Sequence, residues 1–270
     1  MKQAMIFAAG LGTRLKPLTD TMPKALVPVG GRPLLDINID QLSRAGYSRF
    51  VVNVHHFAEQ IVEHVAPLTS PPVADEPELF ARPAADVSPR QEHFPGTVLI
   101  SDEREKLLDT GGGLKKAAPL FSDDDPILIH NVDILDNVDY EWFARQHEAD
   151  EDAVLLVSRR KTKRYLLFDN SMRLMGWTNV ETGEVKSPFP WVRMGLHSSL
   201  HAFAFSGIHS FSPRLFPLMD RFPDKFSIID FYLSVCHRAR IVGLVKDDLQ
   251  VLDVGKLDAL DKAEEFLRTL

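Results

Sequence analysis

Glycine and basic residues near the start of the chain have the spacing of a site that binds a polyphosphate. Residues 10–14 read Gly-Leu-Gly-Thr-Arg after a short apolar run, and Lys24 follows a proline. Glycines directly after a strand let the backbone turn sharply and present its N–H groups to an anion, and cationic side chains add charge. For the glycines alone a structural turn is an equal alternative, but Arg14, Lys16 and Lys24 together favour a phosphate-binding loop.

Two common phosphate-binding loops do not fit this segment. A Walker loop ends in Gly-Lys-Ser or Gly-Lys-Thr, and the dinucleotide fingerprint needs a third glycine where this chain has Leu15. Both departures argue against a nucleotide-binding protein of an unrelated doubly wound type.

Polar residues also follow later apolar runs. Asn131 and Asp133 come after the run at 127–130, and Asp253 lies in the sequence Leu-Asp-Val-Gly. Ligands of open α/β sheets collect at the carboxyl ends of strands, so both aspartates are candidates for a site, although an aspartate there can also cap a helix. A second glycine segment, Asp-Thr-Gly-Gly-Gly-Leu at 109–114, would let a planar base lie against bare backbone, or would simply begin a helix.

The combined pattern resembles the signature of the sugar-1-phosphate nucleotidyltransferases. The likeness extends over some twenty-five positions, from AAGLGTR at 8–14 to PKALVPVGGRPL at 23–34, and the three later landmarks follow in the same order. Val132 stands where the family has glycine, so the approach of the backbone to the nucleotide is expected to differ there. The resemblance implies catalytic roles for Arg14 at the phosphates and Lys24 at the reacting phosphate.

Further site residues are implied by the same resemblance. The aspartates Asp133 and Asp253 would bind Mg²⁺, whose preferred ligands are hard oxygens. The nucleotide would be bound by Ala8, Ala9, Gly10, Gly12, Thr13, Gly111, Gly112 and Asn131. The sugar would be bound by Trp177, Asn179 and Ser206, although a tryptophan in a β-rich region is commonly a core residue and Gly207 beside Ser206 is typical of a bulge.

The implied reaction joins a sugar 1-phosphate to a nucleoside triphosphate and releases pyrophosphate. Within the family, the likeness is nearest to small bacterial members that use UTP and N-acetylmuramate 1-phosphate in cell-wall recycling. Mannose-1-phosphate guanylyltransferase and glucose-1-phosphate thymidylyltransferase activities are the alternatives, and a non-catalytic nucleotide-sugar-binding regulatory relative is an alternative of another class. Because the sequence ends soon after Asp253, we expect no appended acyltransferase domain.

Strands and helices alternate along the sequence in a way that would place these residues at one edge of a sheet. We predict an α/β protein, a Rossmann-like three-layer α/β/α fold with a mixed, mostly parallel sheet whose second half is antiparallel. It would form one nucleotidyltransferase domain over 1–270, with a proline-rich insertion at 67–95. Strands are predicted at 4–9, 50–54, 98–100, 127–130, 153–157, 165–168, 174–177 and 202–208, and helices at about 33–46, 57–65, 213–219, 228–237 and 257–267.

Composition excludes several other classes. The formal charge of −7, from 31 basic and 38 acidic residues, argues against a non-specific nucleic-acid binder. No apolar run reaches the ~18 residues of a membrane span, and the single Cys236 cannot form an intrachain disulfide, so we expect a cytoplasmic protein with a buried, inert thiol. The histidines, including His55, His56 and His130, lack ligand partners at zinc spacing and are expected to be structural. The oligomeric state stays open.

Overall fold

The computed structural model describes residues 1–69, 96–123, 125–195 and 199–269. Most of the predicted proline-rich insertion, at 70–95, lies outside the described residues. The strands are β1 (Lys2–Phe7), β2 (Pro28–Val29), β3 (Arg32–Pro33), β4 (Tyr47–Val54), β5 (Thr97–Asp102), β6 (Ile127–Asn131), β7 (Ile134–Asp136), β8 (Ala153–Ser158), β9 (Arg164–Phe168), β10 (Leu174–Asn179), β11 (Val185–Lys186), β12 (His201–Phe211), β13 (Ile241–Val245) and β14 (Val251–Asp253).

Helices lie between these strands, as the alternation predicts. They are α1 (Leu34–Arg44), α2 (Ala58–Val65), α3 (Asp109–Ala117), α4 (Tyr140–Ala144), α5 (Pro190–Arg193), α6 (Phe216–Met219), α7 (Ile228–Val235) and α8 (Leu260–Leu267). The helix predicted at 213–219 begins as a 3₁₀ turn before α6, and the one predicted at 257–267 likewise begins as a 3₁₀ turn before α8.

The main sheet is mixed. Its strands run in the order β11-β10-β9-β12-β6-β1-β4-β5, with β8 and β13 branching from β12. The pairs joining β6, β1, β4 and β5 are all parallel, whereas β12 is antiparallel to β6, β8 and β9. The predicted antiparallel second half is therefore confirmed, with one exception, because β13 pairs parallel with β8.

Helices cover both faces of this sheet. Successive residues of a strand face opposite sides, so in β1 Ala4 and Ile6 pack with α1, α2 and α8, while Met5 packs with α3 and α7. The result is two apolar cores separated by the sheet. The predicted three-layer α/β/α arrangement is confirmed.

The predicted first strand was two residues too long at its carboxyl end. It was predicted to reach Ala9, but β1 ends at Phe7 because the next two backbone N–H groups, of Ala8 and Ala9, donate to the side chain of Asn53 rather than to a neighbouring strand. The short strands β7 and β14 were not predicted, since three residues give too little periodicity to identify.

The lone cysteine is a core residue. Cys236 is buried at the end of α7, its thiol donates to the carbonyl oxygen of Leu233, and burial raises the pKa of the thiol to about 12. The expectation of a buried thiol is confirmed, and buried thiols are commonly unreactive.

In the described ranges of the chain, none of the helices combines the length and the hydrophobicity that crossing a bilayer demands.

A buried histidine on β12 should make stability depend on pH. His209 packs edge-on against Tyr232 with ring centroids 5.6 Å apart, and neither of its ring nitrogens has a hydrogen-bond partner among the described residues. Burial lowers the pKa of His209 to about 3, whereas an unfolded chain takes up the proton near pH 6.5. The unfolded state therefore binds more protons between these values, and stability must fall as the pH falls through them.

We predict that His209→Phe flattens this dependence. Wild-type protein should lose up to about 1.4 kcal/mol per pH unit through this group on going from pH 6.5 towards pH 3. Urea unfolding at pH 7, 6 and 5 measures the slope, with the exposed His237→Gln as control. Equal slopes in wild type and His209→Phe would contradict the assignment.

Candidate active site

The carboxyl ends of four parallel strands meet at one edge of the sheet and surround a cavity. Because β1, β4, β5 and β6 run in the same direction, the segments that follow them lie side by side there. The cavity has a volume of about 300 Å³. Of the predicted site residues, it is lined by Ala9, Gly10, Lys24, Asn131 and Asp133.

The predicted phosphate loop makes a tight turn at Gly12. This residue has φ 63°, the left-handed region that favours glycine, and it leads into a 3₁₀ turn over Thr13–Leu15. Its carbonyl oxygen accepts from Thr19 Oγ1 at 2.8 Å, and a Cβ atom at Gly12 would lie 2.7 Å from Thr19 Cγ2. Glycine is therefore required here both by conformation and by space.

Two ion pairs join the predicted cations to the predicted metal ligands. Lys24 Nζ contacts Asp133 Oδ2, and both side chains are largely buried, with exposed fractions of 13% and 15%. Arg14 Nη1 lies 3.5 Å from Asp253 Oδ2, and both of these side chains are about half exposed. Arg14 and Lys24 thus each lie beside one of the two aspartates, whereas Lys16 pairs with Asp20 at 2.9 Å.

Strand pairing brings Asp253 next to Asp133. The antiparallel pair β7 and β14 places Asp253 opposite Ile134, and the backbone N–H of Val254 donates to the carbonyl oxygen of Asp133 at 2.8 Å. Burial by itself raises the pKa of the Asp253 carboxyl. The carboxylate also accepts a hydrogen bond from the Gly255 N–H at 2.8 Å and lies near two cations, and these effects outweigh burial. The pKa of Asp253 therefore lies below its usual value. The carboxyl is therefore ionised at neutral pH.

This pair of carboxylates has the donor chemistry of a hard divalent cation. Asp133 and Asp253 offer only oxygen atoms, and Mg²⁺ commonly binds through one or two carboxylates together with substrate phosphates and water. The described part of the chain contains no cluster of three or more histidine, cysteine or acidic side chains that would form a closed metal site. The residues fit an ion that is shared with a phosphate ligand.

The second glycine segment has a different role from the predicted one. Gly111 and Gly112 lie buried in α3, and their N–H groups donate to the carbonyl oxygen of Phe226 at 2.9 and 3.2 Å. A Cβ atom at Gly111 would overlap the Phe226 ring, and one at Gly112 would overlap the carbonyl oxygen of Asp224. These glycines allow α3 to pack against the 224–226 segment and do not line the cavity.

The cavity wall at α3 is formed instead by the two residues before these glycines. Asp109 and Thr110 line it, and Asp109 has φ 63° although it is not glycine. Its carboxylate accepts from the Thr110 N–H at 2.6 Å. Such backbone strain is commonly found at ligand-binding positions.

Trp177 and Asn179 line a second cavity, of about 520 Å³, on the β-rich half of the sheet. Lys186 lies over the Trp177 ring, 5.4 Å from its centroid, and pairs with Asp230 at 3.2 Å. Arg160 and Arg164 also line this cavity, and among the described residues neither forms an ion pair with a carboxylate. Two of the three predicted sugar-binding residues are thus together.

Ser206 is not available to a ligand. It is buried, its hydroxyl donates to the carbonyl oxygen of Leu156 at 2.8 Å, and it accepts from the Ile208 N–H at 3.1 Å. The prediction of a sugar contact at Ser206 is therefore replaced by a structural role in the irregular part of β12. Gly207 has φ 88° in the same bulge and leaves room for Asn131, whose Nδ2 would lie 2.8 Å from a Cβ atom there.

Val132 is accommodated by the core. Its side chain is buried among apolar residues of the α1 face, and its N–H donates to the carbonyl oxygen of Phe7 at 3.2 Å. The backbone between Asn131 and Asp133 is thereby attached to the end of β1.

Of the histidines that the sequence predicts to be structural, His130 has its Nε2 2.9 Å from the buried Asp136 carboxylate.

Several residues of the cavity were not identified from the sequence. They include Asn53, Glu103, Leu107 and Lys225, whereas Asp109 and Thr110 belong to the segment at 109–114 that the sequence did single out. One signal was present, because Asn53 is a polar residue inside the apolar run Phe-Val-Val-Asn-Val at 50–54. A buried polar residue in a strand needs hydrogen-bond partners, and here it finds them in the phosphate loop.

Comparison with known proteins identifies the family of this chain. A sequence model of the family described as nucleotidyl transferase matches residues 3–166. An N-acetylmuramate alpha-1-phosphate uridylyltransferase of Caulobacter vibrioides is 30% identical over 98% of this chain and 97% of its own length. A mannose-1-phosphate guanyltransferase of Aspergillus fumigatus is 28% identical over 60% of this chain and 39% of its own length.

Solved structures share the fold. A crystal structure from Bacillus anthracis, named for glucose-1-phosphate thymidylyltransferase and holding sucrose, has a TM-score of 0.75 at 14% identity, and the match covers 100% of this chain and 96% of that one. The chain belongs to the nucleotidyl transferase family. More narrowly, it is a sugar-1-phosphate nucleotidyltransferase, an enzyme class that binds a nucleoside triphosphate and a sugar phosphate.

We predict that Gly12→Ala weakens binding of the triphosphate. A left-handed alanine destabilises the fold by about 1–2 kcal/mol, and its methyl group would also displace Thr19 and the loop. Gly31→Ala is the matched control, because Gly31 has φ 76° and a Cβ atom there would have no neighbouring atom within 4 Å. Thermal unfolding should show a loss in both variants, and a larger one in Gly12→Ala because of the contact with Thr19. The KM for the triphosphate should rise only in Gly12→Ala, and an equal rise in both would contradict the prediction.

Proposed function

We propose that this protein joins UTP to N-acetylmuramate 1-phosphate, giving UDP-N-acetylmuramate and pyrophosphate in the recycling of cell-wall sugars. The observation that supports the reaction class most directly is the pair of aspartates with their two cations at the edge of the nucleotide cavity. The full-length relative from Caulobacter vibrioides supports the choice of substrates. We further propose that residues 1–270 act as one catalytic domain with an insertion at 67–95.

The attacking group in this reaction is already an anion. An oxygen of the sugar 1-phosphate attacks the α-phosphorus of the triphosphate, the bond to the β-phosphate oxygen breaks, and pyrophosphate leaves with that electron pair. No general base and no covalent nucleophile is needed, so the protein contributes position and charge stabilisation. We assign Lys24 to the charge on the reacting phosphate and Arg14 to that on the leaving group.

The triphosphate would be bound by the loop after β1 and by the polar end of β6. We assign Ala8, Ala9, Gly10, Gly12 and Thr13 to the phosphate side. Asn131 would contact the nucleotide from the opposite wall. Asp109 and Thr110, which line the cavity, take the place of Gly111 and Gly112 in contacting the base side.

Asp133 and Asp253 would hold Mg²⁺, which when bound neutralises charge on the α-phosphate. Binding of the metal with the triphosphate would exchange the partners of all four side chains. Lys24 and Arg14 would turn from the carboxylates to phosphate oxygens, and the carboxylates would turn to the ion. Each of the four charged side chains would thus face a group of opposite charge both before and after the exchange.

The second cavity fits an acidic sugar. N-acetylmuramate differs from glucose and mannose in having a carboxylate on its lactyl ether. Arg160 and Arg164 lie in this cavity without a carboxylate partner among the described residues, and Trp177 offers a flat face of the kind that packs against sugar rings. We assign Trp177 and Asn179 to the sugar ring and the two arginines to the lactyl carboxylate.

Pyrophosphate release tests the reaction and its substrates. Purified protein with Mg²⁺ and N-acetylmuramate 1-phosphate should release pyrophosphate with UTP in preference to dTTP, GTP and CTP. Asp133→Asn and Asp253→Asn should each lower kcat by about 10²–10³-fold, because each removes one charged group that stabilises the transition state.

Other outcomes distinguish the alternatives. Release with GTP and mannose 1-phosphate, or with dTTP and glucose 1-phosphate, would move the protein to one of those activities. Binding of nucleotide-sugar without any release would instead identify a regulatory relative.

The arginines should determine sugar selectivity. We predict that Arg164→Met raises the KM for N-acetylmuramate 1-phosphate by about tenfold, since a charge-assisted hydrogen bond contributes about 1.5–3 kcal/mol. The KM for N-acetylglucosamine 1-phosphate, which lacks the lactyl carboxylate, serves as the internal control and should not change. A parallel rise for both sugars would show that Arg164 does not recognise the carboxylate.

A further inference from the structure

A pair of buried polar side chains lies directly behind the phosphate loop. Asn53, near the end of β4, is 3% exposed, and Glu103, just after β5, is fully buried. Burying a carboxylate is unfavourable unless hydrogen-bond donors surround it. In the described part of the chain, Glu103 forms no ion pair with a lysine or arginine, and its two carboxyl oxygens accept from N–H groups instead.

The donors and acceptors form one continuous chain across the cavity. Asn53 Oδ1 accepts from the N–H groups of Ala8 at 2.7 Å and Ala9 at 3.3 Å. The amide of Asn53 then donates through Nδ2 to Glu103 Oε1 at 2.7 Å. Glu103 Oε2 accepts from the Leu108 N–H at 3.0 Å, immediately before α3. One wall of the cavity is the phosphate loop and the other is the start of α3. The side chains of Asn53 and Glu103 thus connect these two walls by hydrogen bonds.

Glu103 itself has little freedom to move. Its backbone N–H donates to the carbonyl oxygen of Val54 at 2.8 Å, and its own carbonyl oxygen lies 2.7 Å from His55 Nδ1. Its carboxylate lies against α3 where that helix has no side chain, since a Cβ atom at Gly113 would lie 2.6 Å from Oε1. The third glycine of the segment at 111–113 therefore makes room for this carboxylate.

We propose that Asn53 and Glu103 are positioning residues that hold the phosphate loop and the start of α3 at a fixed separation across the nucleotide cavity. The inference rests on the proposed function, because it takes a nucleoside triphosphate as the ligand of that cavity. Both walls would contact a nucleotide bound in this cavity, and neither lines the second cavity. The pair therefore sets affinity for the triphosphate and leaves affinity for the sugar phosphate unchanged.

Isosteric exchanges of amide and carboxylate test this arrangement. In Asn53→Asp, the new oxygen faces Glu103 Oε1, so two acceptors oppose each other. Glu103→Gln leaves an amide with two donors, and its single acceptor cannot serve both Asn53 Nδ2 and the Leu108 N–H. In the double variant the direction of the central hydrogen bond is reversed. The aspartate at 53 then accepts from Ala8 and from the glutamine amide, and the glutamine oxygen accepts from Leu108.

The measurement is the Kd for a UTP analogue with a methylene group between the α- and β-phosphorus, with Mg²⁺, at pH 8. Each single variant should raise this Kd about 10–100-fold, as expected when a buried donor or acceptor loses its partner. The double variant should return to within about threefold of wild type. In steady-state assays the KM for the triphosphate should follow the same order, and the KM for the sugar phosphate should stay constant.

A matched exchange at the opposite end of β1 controls for general destabilisation. Gln3 is also fully buried, and its amide donates to the carbonyl oxygens of Ser122 at 3.0 Å and Asp125 at 2.6 Å. Gln3→Glu places a carboxylate against these acceptors far from the cavity. It should lower the melting temperature as much as the single variants do, without changing the Kd.

Each result decides the proposal. The proposal would be overturned if both single variants kept the wild-type Kd, or if the double variant bound no better than the worse single variant. It would also be overturned if Gln3→Glu raised the Kd equally. If the single variants do not fold, the double variant must still fold and bind. Should wild type bind the analogue with this pattern but release no pyrophosphate from any substrate pair, the positioning role stands and the proposed function fails. If none of the four nucleotide bases supports binding to wild type, the positioning role fails as well.

Discussion

Two carboxylates lie side by side at the edge of this sheet, and that requires compensating positive charge. Asp133 and Asp253 would repel each other in a partly buried site if Lys24 and Arg14 did not pair with them. The same four side chains could exchange partners with a metal ion and a polyphosphate, so that each faces a group of opposite charge. The free protein therefore already holds, in two ion pairs, the cations and carboxylates that would face a magnesium triphosphate.

This balance depends on connections between distant parts of the chain. The aspartates are brought together by the short pair β7 and β14, and Lys24 reaches them from the 3₁₀ turn at Lys24–Leu26 before α1. The parallel strands fix these segments at one edge, and the packing of α1 and α8 on one face holds the edge in place. A change in the pairing of β7 and β14 would displace Asp253 together with the core residues Leu135 and Val254 beside it.

Local signals in the sequence predicted the parts of the site that depend on local geometry. The turn at Gly12, the cations and both aspartates could be identified because each has a characteristic setting in the chain. The roles of Gly111, Gly112 and Ser206 could not, because Phe226 and Leu156, which decide them, are distant in sequence. Periodicity likewise predicted most of the long strands and helices, but it missed β13 as well as β7 and β14, whose pairings are tertiary contacts.

The glycines of α3 have a consequence for both cavities. They fix the 224–226 segment, and the chain from 225 to 229 continues along the two cavities, with Lys225 lining the first and Ser227 and Ile229 the second. The Ile228 N–H also donates to Thr110 Oγ1 at 3.0 Å, which attaches this wall to the start of α3. In-line transfer requires the sugar phosphate and the α-phosphorus to meet within bonding reach. With the proposed assignment of the cavities, the packing of bare backbone in α3 would therefore set where the two substrates meet, although no glycine of that helix lines either cavity.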